Sequence, residues 1–324
     1  MVRFAPVKLA AFALGCAALA WLLVYAGAGA VVQAALRLGL TGLCIVALLH
    51  APVLAAMGIA WWNIGRDASG AALGKFVAAR FVRDAVSEVL PLSQLGGFAA
   101  GVRALHLAGV STLCAAASMF ADLVAEFAAK LPYVVAGIAV LAYLRPWSAL
   151  ALSLLSLIAL MAAGGAALFA LRRRVALVSG RLAATAARRW APLRSLEDFR
   201  QAVARLARHD RPLIAAFAIH AACWFFGAVE TWIIFALMGV ELGVSQALVI
   251  DALVSALRTF AFLVPGAIGI QEGSYVAACA LFGIGPADAI AFSVVRRARE
   301  LALGAPGLAA WQWLEARAVT RTES

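Results

Sequence analysis

Three tracts of this 324-residue chain bring together groups that could do chemistry. In Val264-Pro-Gly-Ala-Ile-Gly-Ile-Gln-Glu-Gly273, the helix-disfavouring Pro265, Gly266, Gly269 and Gly273 surround an amide, Gln271, and a carboxylate, Glu272. In Arg83-Asp-Ala-Val-Ser-Glu-Val-Leu-Pro-Leu-Ser-Gln-Leu-Gly-Gly97, Arg83 and Glu88 precede Pro91, while Gln94, Gly96 and Gly97 follow it. In Ala121-Asp-Leu-Val-Ala-Glu126 and just beyond, Asp122, Glu126 and Lys130 recur every fourth residue, a stripe on one helical face with Ser118 a turn earlier.

These types suit binding and charge compensation. An arginine fork offers a phosphate two parallel, charge-assisted hydrogen bonds that lysine cannot reproduce, which makes Arg83 and Arg258 the first candidates for contact with a lipid headgroup. Unwound backbone near Pro91 and Pro265 would expose N–H and C=O groups able to hold a polar ligand, joined by Gln94 and Gln271. Glu272 and Asp122 would serve as counter-ions or proton sites. Covalent chemistry finds no paired-carboxylate motif and no activated nucleophile. The five cysteines and four histidines are scattered, with no C-x-x-C and no H-E-x-x-H. Neither an enzyme activity nor a metal or cofactor is expected.

Plainer readings stand beside these. Pro265, Gly266 and Gly269 could form a tight surface turn, with Glu272 solvated or capping the next helix. Glu126 and Lys130 could pair within their helix, a contact worth about 0.2–0.5 kcal/mol, which leaves Asp122 without a partner. Asp84 reads as a solvated face. Glu230 is either a proton site or the partner of an arginine on another helix. Arg296, Arg297, Arg299 and Glu300 read as an interfacial or cytoplasmic cluster, with Arg296 and Glu300 paired one turn apart.

The elements that must hold these groups follow from composition. The chain is 65% hydrophobic and 13% charged, with mean hydropathy +0.97, far outside the range of a soluble domain. Apolar runs long enough to cross a hydrocarbon core of roughly 30 Å recur throughout. The fold class is therefore all-α, a polytopic helical bundle. The 27 Lys and Arg against 16 Asp and Glu follow the positive-inside rule and the attraction of anionic headgroups, so the partners are membrane lipids and no nucleic acid is implied. Eleven of the arginines lie between Arg172 and Arg211, opposite only Glu197, Asp198 and Asp210. The chain divides accordingly into a first half, 1–171, a basic cytoplasmic loop, 172–211, and a second half, 212–324.

Predicted spans cover 7–26, with Arg3 and Lys8 holding the N-terminus in the cytoplasm, and Leu40 to Ile64, ending at Trp61-Trp62-Asn63 as an aromatic belt. Ser69 to Leu90 is amphipathic and too charged to face lipid. Further helices are predicted at 105–129, 131–144 and 147–171. An even number of crossings between Arg66 and Arg172 then requires a discontinuous span over Lys75 to Gly101; a re-entrant hairpin would instead mean that one of the three helices is wrong. Residues 213–239 cross outward, and on the next segment, Leu242 to Leu263, Asp251, Ser255 and Arg258 share one face. A final helix is interrupted at Gly304-Ala-Pro-Gly307.

The halves share an order: a tryptophan-bearing span, a helix with arginine near its end, a proline, a glycine-rich break with a glutamine, and a resumed helix. Arg83 precedes Pro91 by eight residues and Arg258 precedes Pro265 by seven. Opposite crossing directions make this an inverted repeat with two broken or re-entrant helices, the plan of many secondary transporters. The three quoted tracts together resemble the hopanoid-biosynthesis-associated membrane protein family, within the flippase-like superfamily named after the membrane region of lysylphosphatidylglycerol synthase. The resemblance spans nearly the whole chain. It implies a bacterial inner-membrane protein that moves a lipid, hopanoid-related or a phospholipid, between leaflets, with hopanoid-biosynthesis proteins as implied partners; the alternative is an integral membrane enzyme or scaffold in hopanoid lipid biosynthesis. No aminoacyl-transferase domain is expected after the membrane part.

Overall fold

The computed structural model describes residues 17, 19–89, 93–145, 191–260 and 267–322. Pro91, Pro265, Gly266, the segment 147–171, the basic stretch up to 190 and most of the first predicted span lie outside the described residues. So do the side chains of Gln94 and Leu95. Among the described residues all regular structure is helical: α1 Ala28–Ser69, α2 Leu73–Val89, α3 Ser93–Leu107, α4 Thr112–Leu144, α5 Ala191–Leu206, α6 Asp210–Leu237, α7 Val244–Phe260, α8 Ile270–Ala280 and α9 Pro286–Thr322. Helices α1, α4 and α6 are long and apolar enough to cross a membrane.

Each half thus reads long, short, short, long. Gly39, with φ 64° and ψ 179°, interrupts α1 one residue before the predicted start of the second span. Beyond this kink α1 lies antiparallel to α6, its counterpart in the second half. His50 meets Glu230, Cys223 donates to the Val53 carbonyl, and Ala60 and Ile64 pack with Ala216. Trp61 is fully buried, donates to Ser118 Oγ at 3.0 Å and meets Phe76 edge-on, so it belongs to the core rather than to an aromatic belt.

The α2–α3 segment corrects the discontinuous-span reading. Lys75 Nζ donates to the Ala108 carbonyl at 2.7 Å, so the chain ends the excursion beside where it began. A Cβ at Gly97 would come within 2.5 Å of the Arg83 carbonyl oxygen, and one at Gly101 within 3.0 Å of Arg83 Cβ. The two arms are therefore an antiparallel, re-entrant hairpin whose backbones touch through glycine. The helices predicted at 105–129 and 131–144 are correspondingly one element, α4, which runs through Pro132. Proline lacks the N–H and crowds the carbonyl four residues back, a disruption that long membrane helices tolerate. Ser111 caps α4 by accepting from Cys114 N.

In the second half, α8 begins at Ile270 with Gly269, φ 78°, as its N-cap. Gln271, Glu272 and Gly273 are thus in the first turn of a helix, not in an unwound loop. The predicted interruption at Gly304-Ala-Pro-Gly307 is absent as well, since α9 continues through Pro306 to Thr322. Gly307 there lies against α2, where a Cβ would sit 2.9 Å from both Phe81 O and Ala85 Cβ. The last helix of the second half therefore packs on the hairpin of the first. Outside this bundle α5 leans Phe199 edge-on against Phe120 at 5.8 Å. Its half-buried Glu197 is held down at about 2 by hydrogen bonds from Arg200 and Gln201.

Candidate functional site: a charged cavity between the halves

On α2, Arg80, Arg83 and Asp84 are spaced by three and four residues and share a face turned toward α4. Arg80 donates to Asp84 at 2.8 Å, to Glu126 at 3.1 and 3.3 Å, and to Asp122 at 3.4 Å. Arg83 donates through both terminal nitrogens to Glu126, at 3.1 and 3.2 Å. Asp122 is fully buried and meets His220 Nε2 at 2.9 Å. The pairing within α4 is therefore not made: Glu126 serves two arginines of α2, while Lys130 donates to Thr259 at 2.6 Å and lies 4.7 Å from the Trp224 ring. Nor is Asp122 unpartnered, as the pattern along a single helix suggested.

Asp122, Glu126 and His220 bring ligand atoms within 4.8 Å of one another, a spacing compatible with a metal ion. The Arg80 guanidinium already bonds both carboxylates, however, and supplies the positive charge an ion would bring. The donor set fits an ion-pair network better than a cation site.

The second cluster gathers on α7, α8 and α9. Asp251 accepts from Tyr133 OH at 2.6 Å, from Thr231 Oγ1 at 3.2 Å and from Arg296. Arg296 also donates to Tyr275 OH at 2.7 Å. Glu230 pairs with Arg299 and meets His50 Nδ1 at 2.9 Å, so it is an arginine's partner. Arg299 is only 3% exposed, and Arg296 bonds Asp251 rather than Glu300. This arginine group is interior, contrary to the interfacial reading.

Glu88, in the last turn of α2, accepts from Arg258, in the last turn of α7, at 3.1 Å. Arg258 also lies 3.8 Å from Glu300. That contact brings the ends of the two short arms together, one from each half. Around it opens a cavity of about 460 Å3. Six cations, Arg80, Arg83, Lys130, Arg258, Arg296 and Arg299, line it with five carboxylates, Asp84, Glu88, Glu126, Asp251 and Glu300. Two further carboxylates, Asp122 and Glu230, stand behind the wall bonded to Arg80 and Arg299, and His50 lines the wall beside Glu230. The Nε atoms of Arg83, Arg296 and Arg299 have no hydrogen-bond partner among the described residues. Arg83 Nε is 3.8 Å from Asp84, beyond hydrogen-bond reach. These three atoms have no accessible surface, so they are unpaired donors inside the wall, costly to leave so, rather than groups presented to the cavity.

Of the residues singled out in the sequence, Arg83, Glu88, Glu126 and Arg258 line this cavity. Asp122 stands behind it. Gly97 joins the arms of the hairpin, and Gly96 adjoins it in the first turns of α3. Glu272 faces elsewhere: it accepts from Gly269 N at 2.7 Å, Ser293 Oγ at 3.0 Å and Arg297 Nε at 2.8 Å. Gln271 donates to the same Ser293 at 2.8 Å. Gly269, Gln271 and Glu272 thus cap α8 and fasten it to α9, and the capping reading of Glu272 describes its contacts. Arg80, Asp251, Tyr275, Arg296 and Arg299 are among the lining residues not selected from sequence, and Tyr133 supports Asp251 from outside the lining. The spacing of Arg80 to Arg83 and of Asp251 to Arg258 carried a signal; the tyrosines carried none.

A buried ion pair is weak evidence for stability, since well-packed apolar residues of similar volume often serve as well. The concentration of charge here calls for another explanation. The family described as the lysylphosphatidylglycerol synthase TM region matches residues 9–307. No curated protein and no solved structure matches the chain.

Proposed function

The chain belongs to the lysylphosphatidylglycerol synthase TM-region family, and from that premise we propose that it is a lipid translocase, carrying the headgroup of an anionic phospholipid between leaflets through the charged cavity while the tails stay in hydrocarbon. The observation that carries the reading is the cavity itself, lined by the Glu88–Arg258 pair where the short arms of the two halves meet. A headgroup phosphate would compete with Glu88 for the part-exposed Arg258, so the pair would open as the ligand arrives. The cargo reading favours a phospholipid over a neutral hopanoid, which needs no arginines. Transport, rather than covalent conversion of the lipid, is the activity proposed. The location proposed is a bacterial inner membrane with the N-terminus in the cytoplasm.

The test is leaflet exchange of a labelled phosphatidylglycerol in vesicles containing the purified full chain. Wild type should exchange the lipid faster than protein-free vesicles. Arg258→Gln should slow exchange by about tenfold, the equivalent of one charge-assisted hydrogen bond, while remaining folded by thermal melt. Exchange in wild type no faster than in empty vesicles would overturn the reading.

A further inference from the structure

The molecule has a second concavity that the charged cavity leaves unexplained. It is an apolar groove of about 550 Å3 between α3, α4 and α5, walled by Phe98, Val102, Ala116, Phe120, Leu123 and Phe199. Its volume falls in the roughly 300–1,000 Å3 range of ligand sites. Phe98 and Leu123 also line the charged cavity, so the two compartments share a wall. The Arg83 guanidinium carbon lies 4.7 Å from the Phe98 ring centroid, and Phe98 also borders the apolar groove.

An apolar groove alone has no defined occupant. Here the neighbour defines one, because a charged chamber and an apolar channel joined at two side chains match a molecule with a charged end and a hydrocarbon end. Small side chains keep the channel open: Ala99 and Ala116 lie on opposite walls, on α3 and α4. The groove follows α3 from Phe98 to His106, eight residues or about 12 Å of helix. At its far end His106 and Thr112 hydrogen-bond each other at 3.2 Å, and Arg103 is paired with Glu315. Few polar groups line that end, whereas the cavity side holds the dense charge around Arg83 and Arg258.

We infer that this groove is an acyl-chain site, holding one hydrocarbon tail of the lipid whose anionic group occupies the charged cavity. The inference rests on the translocase reading for the identity of the ligand. It adds that the chain is gripped by the protein while the headgroup is bound, with Phe98 and Leu123 as the divider between tail and head.

Phosphatidylglycerol bearing a diazirine on one acyl chain, photolysed in vesicles with the full-length protein, tests it by peptide mapping. Label should concentrate on α3 around residues 98–102 and on α4 around 116–123. Ala116→Trp and Ala99→Trp should each cut that labelling by roughly tenfold, the effect of lost contact with about two methylenes. Val124→Trp, on an exposed position outside the groove, should leave it unchanged. Label spread evenly over exposed apolar side chains such as Leu48 and Val135, insensitive to both alanine variants, means surface lipid only and overturns the groove. Leaflet exchange in the same vesicles separates the two ideas. Exchange with scattered label sinks the groove and keeps the translocase; groove labelling without exchange sinks the translocase and keeps the site.

Discussion

The hairpin α2–α3 and the pair α7–α8 carry acidic residues on different sides of their breaks. Glu88 stands in the last turn of α2 and reaches across the molecule to Arg258. Glu272 stands in the first turn of α8 and reaches back to its own N-cap, Gly269, and to Arg297 on the adjacent helix. The helix dipole accounts for the contrast. A carboxylate in a first turn finds free backbone N–H groups and a positive helix end, so its needs are met locally. One in a last turn faces carbonyls and a negative end, and must find its cation elsewhere. Two motifs that look alike in sequence thus do different things: one joins the halves at the cavity, the other staples α8 to α9.

Several substitutions would break that comparison or sharpen it. The largest effect is expected at Arg80, on the first arm, whose loss leaves the buried Asp122 and the half-buried Glu126 with fewer compensating donors. Arg80→Ala should cost about 3–5 kcal/mol, read as a lowered midpoint in thermal unfolding. Arg80→Lys should recover only part, because an ammonium cannot fork between two carboxylates. An unchanged midpoint in Arg80→Ala would show that the network is not buried as described.

Next comes the contact between halves. Glu88→Arg or Arg258→Glu alone should destabilise the protein and stop leaflet exchange, and the double exchange should restore a coupling of about 0.5–3 kcal/mol. Additive losses in that cycle would mean the pair does not hold the two arms together. Glu272 provides the contrast. Glu272→Ala should cost about 1–2 kcal/mol through the lost cap, yet leave exchange by the folded protein near wild type. A loss of exchange without loss of stability would put Glu272 back in the lipid's path.

The smallest effect is expected at the exposed pair of Arg103 and Glu315, with side chains 48% and 35% exposed. Glu315→Gln should change stability by no more than about 1 kcal/mol, a difference that added salt should shrink further.

Much of this protein could be read from the chain alone, for physical reasons. Composition and run length gave the all-α membrane class, since backbone polar groups must be satisfied internally in hydrocarbon. The spacing of Asp251, Ser255 and Arg258 gave one face of a helix, and Gly269 marked the start of α8. The same local rules misled where a partner was distant. Lys130 has Glu126 four residues away, yet it bonds Thr259; Pro306 sits among glycines, yet α9 runs through it against α2.

What the sequence by itself determined is therefore the set of helices and the charge each face carries, because helix periodicity and the hydrophobic effect act over a few residues. Only the tertiary structure decided which charges meet. Whether Lys75 to Gly101 crosses or folds back depends on how closely Gly97 and Gly101 let two backbones approach, and the partner of Glu88 depends on where α7, some 170 residues later, comes to its end. Coulomb attraction in a low-dielectric interior rewards whichever opposite charges the packing brings within a few ångströms, and chain order does not encode that distance.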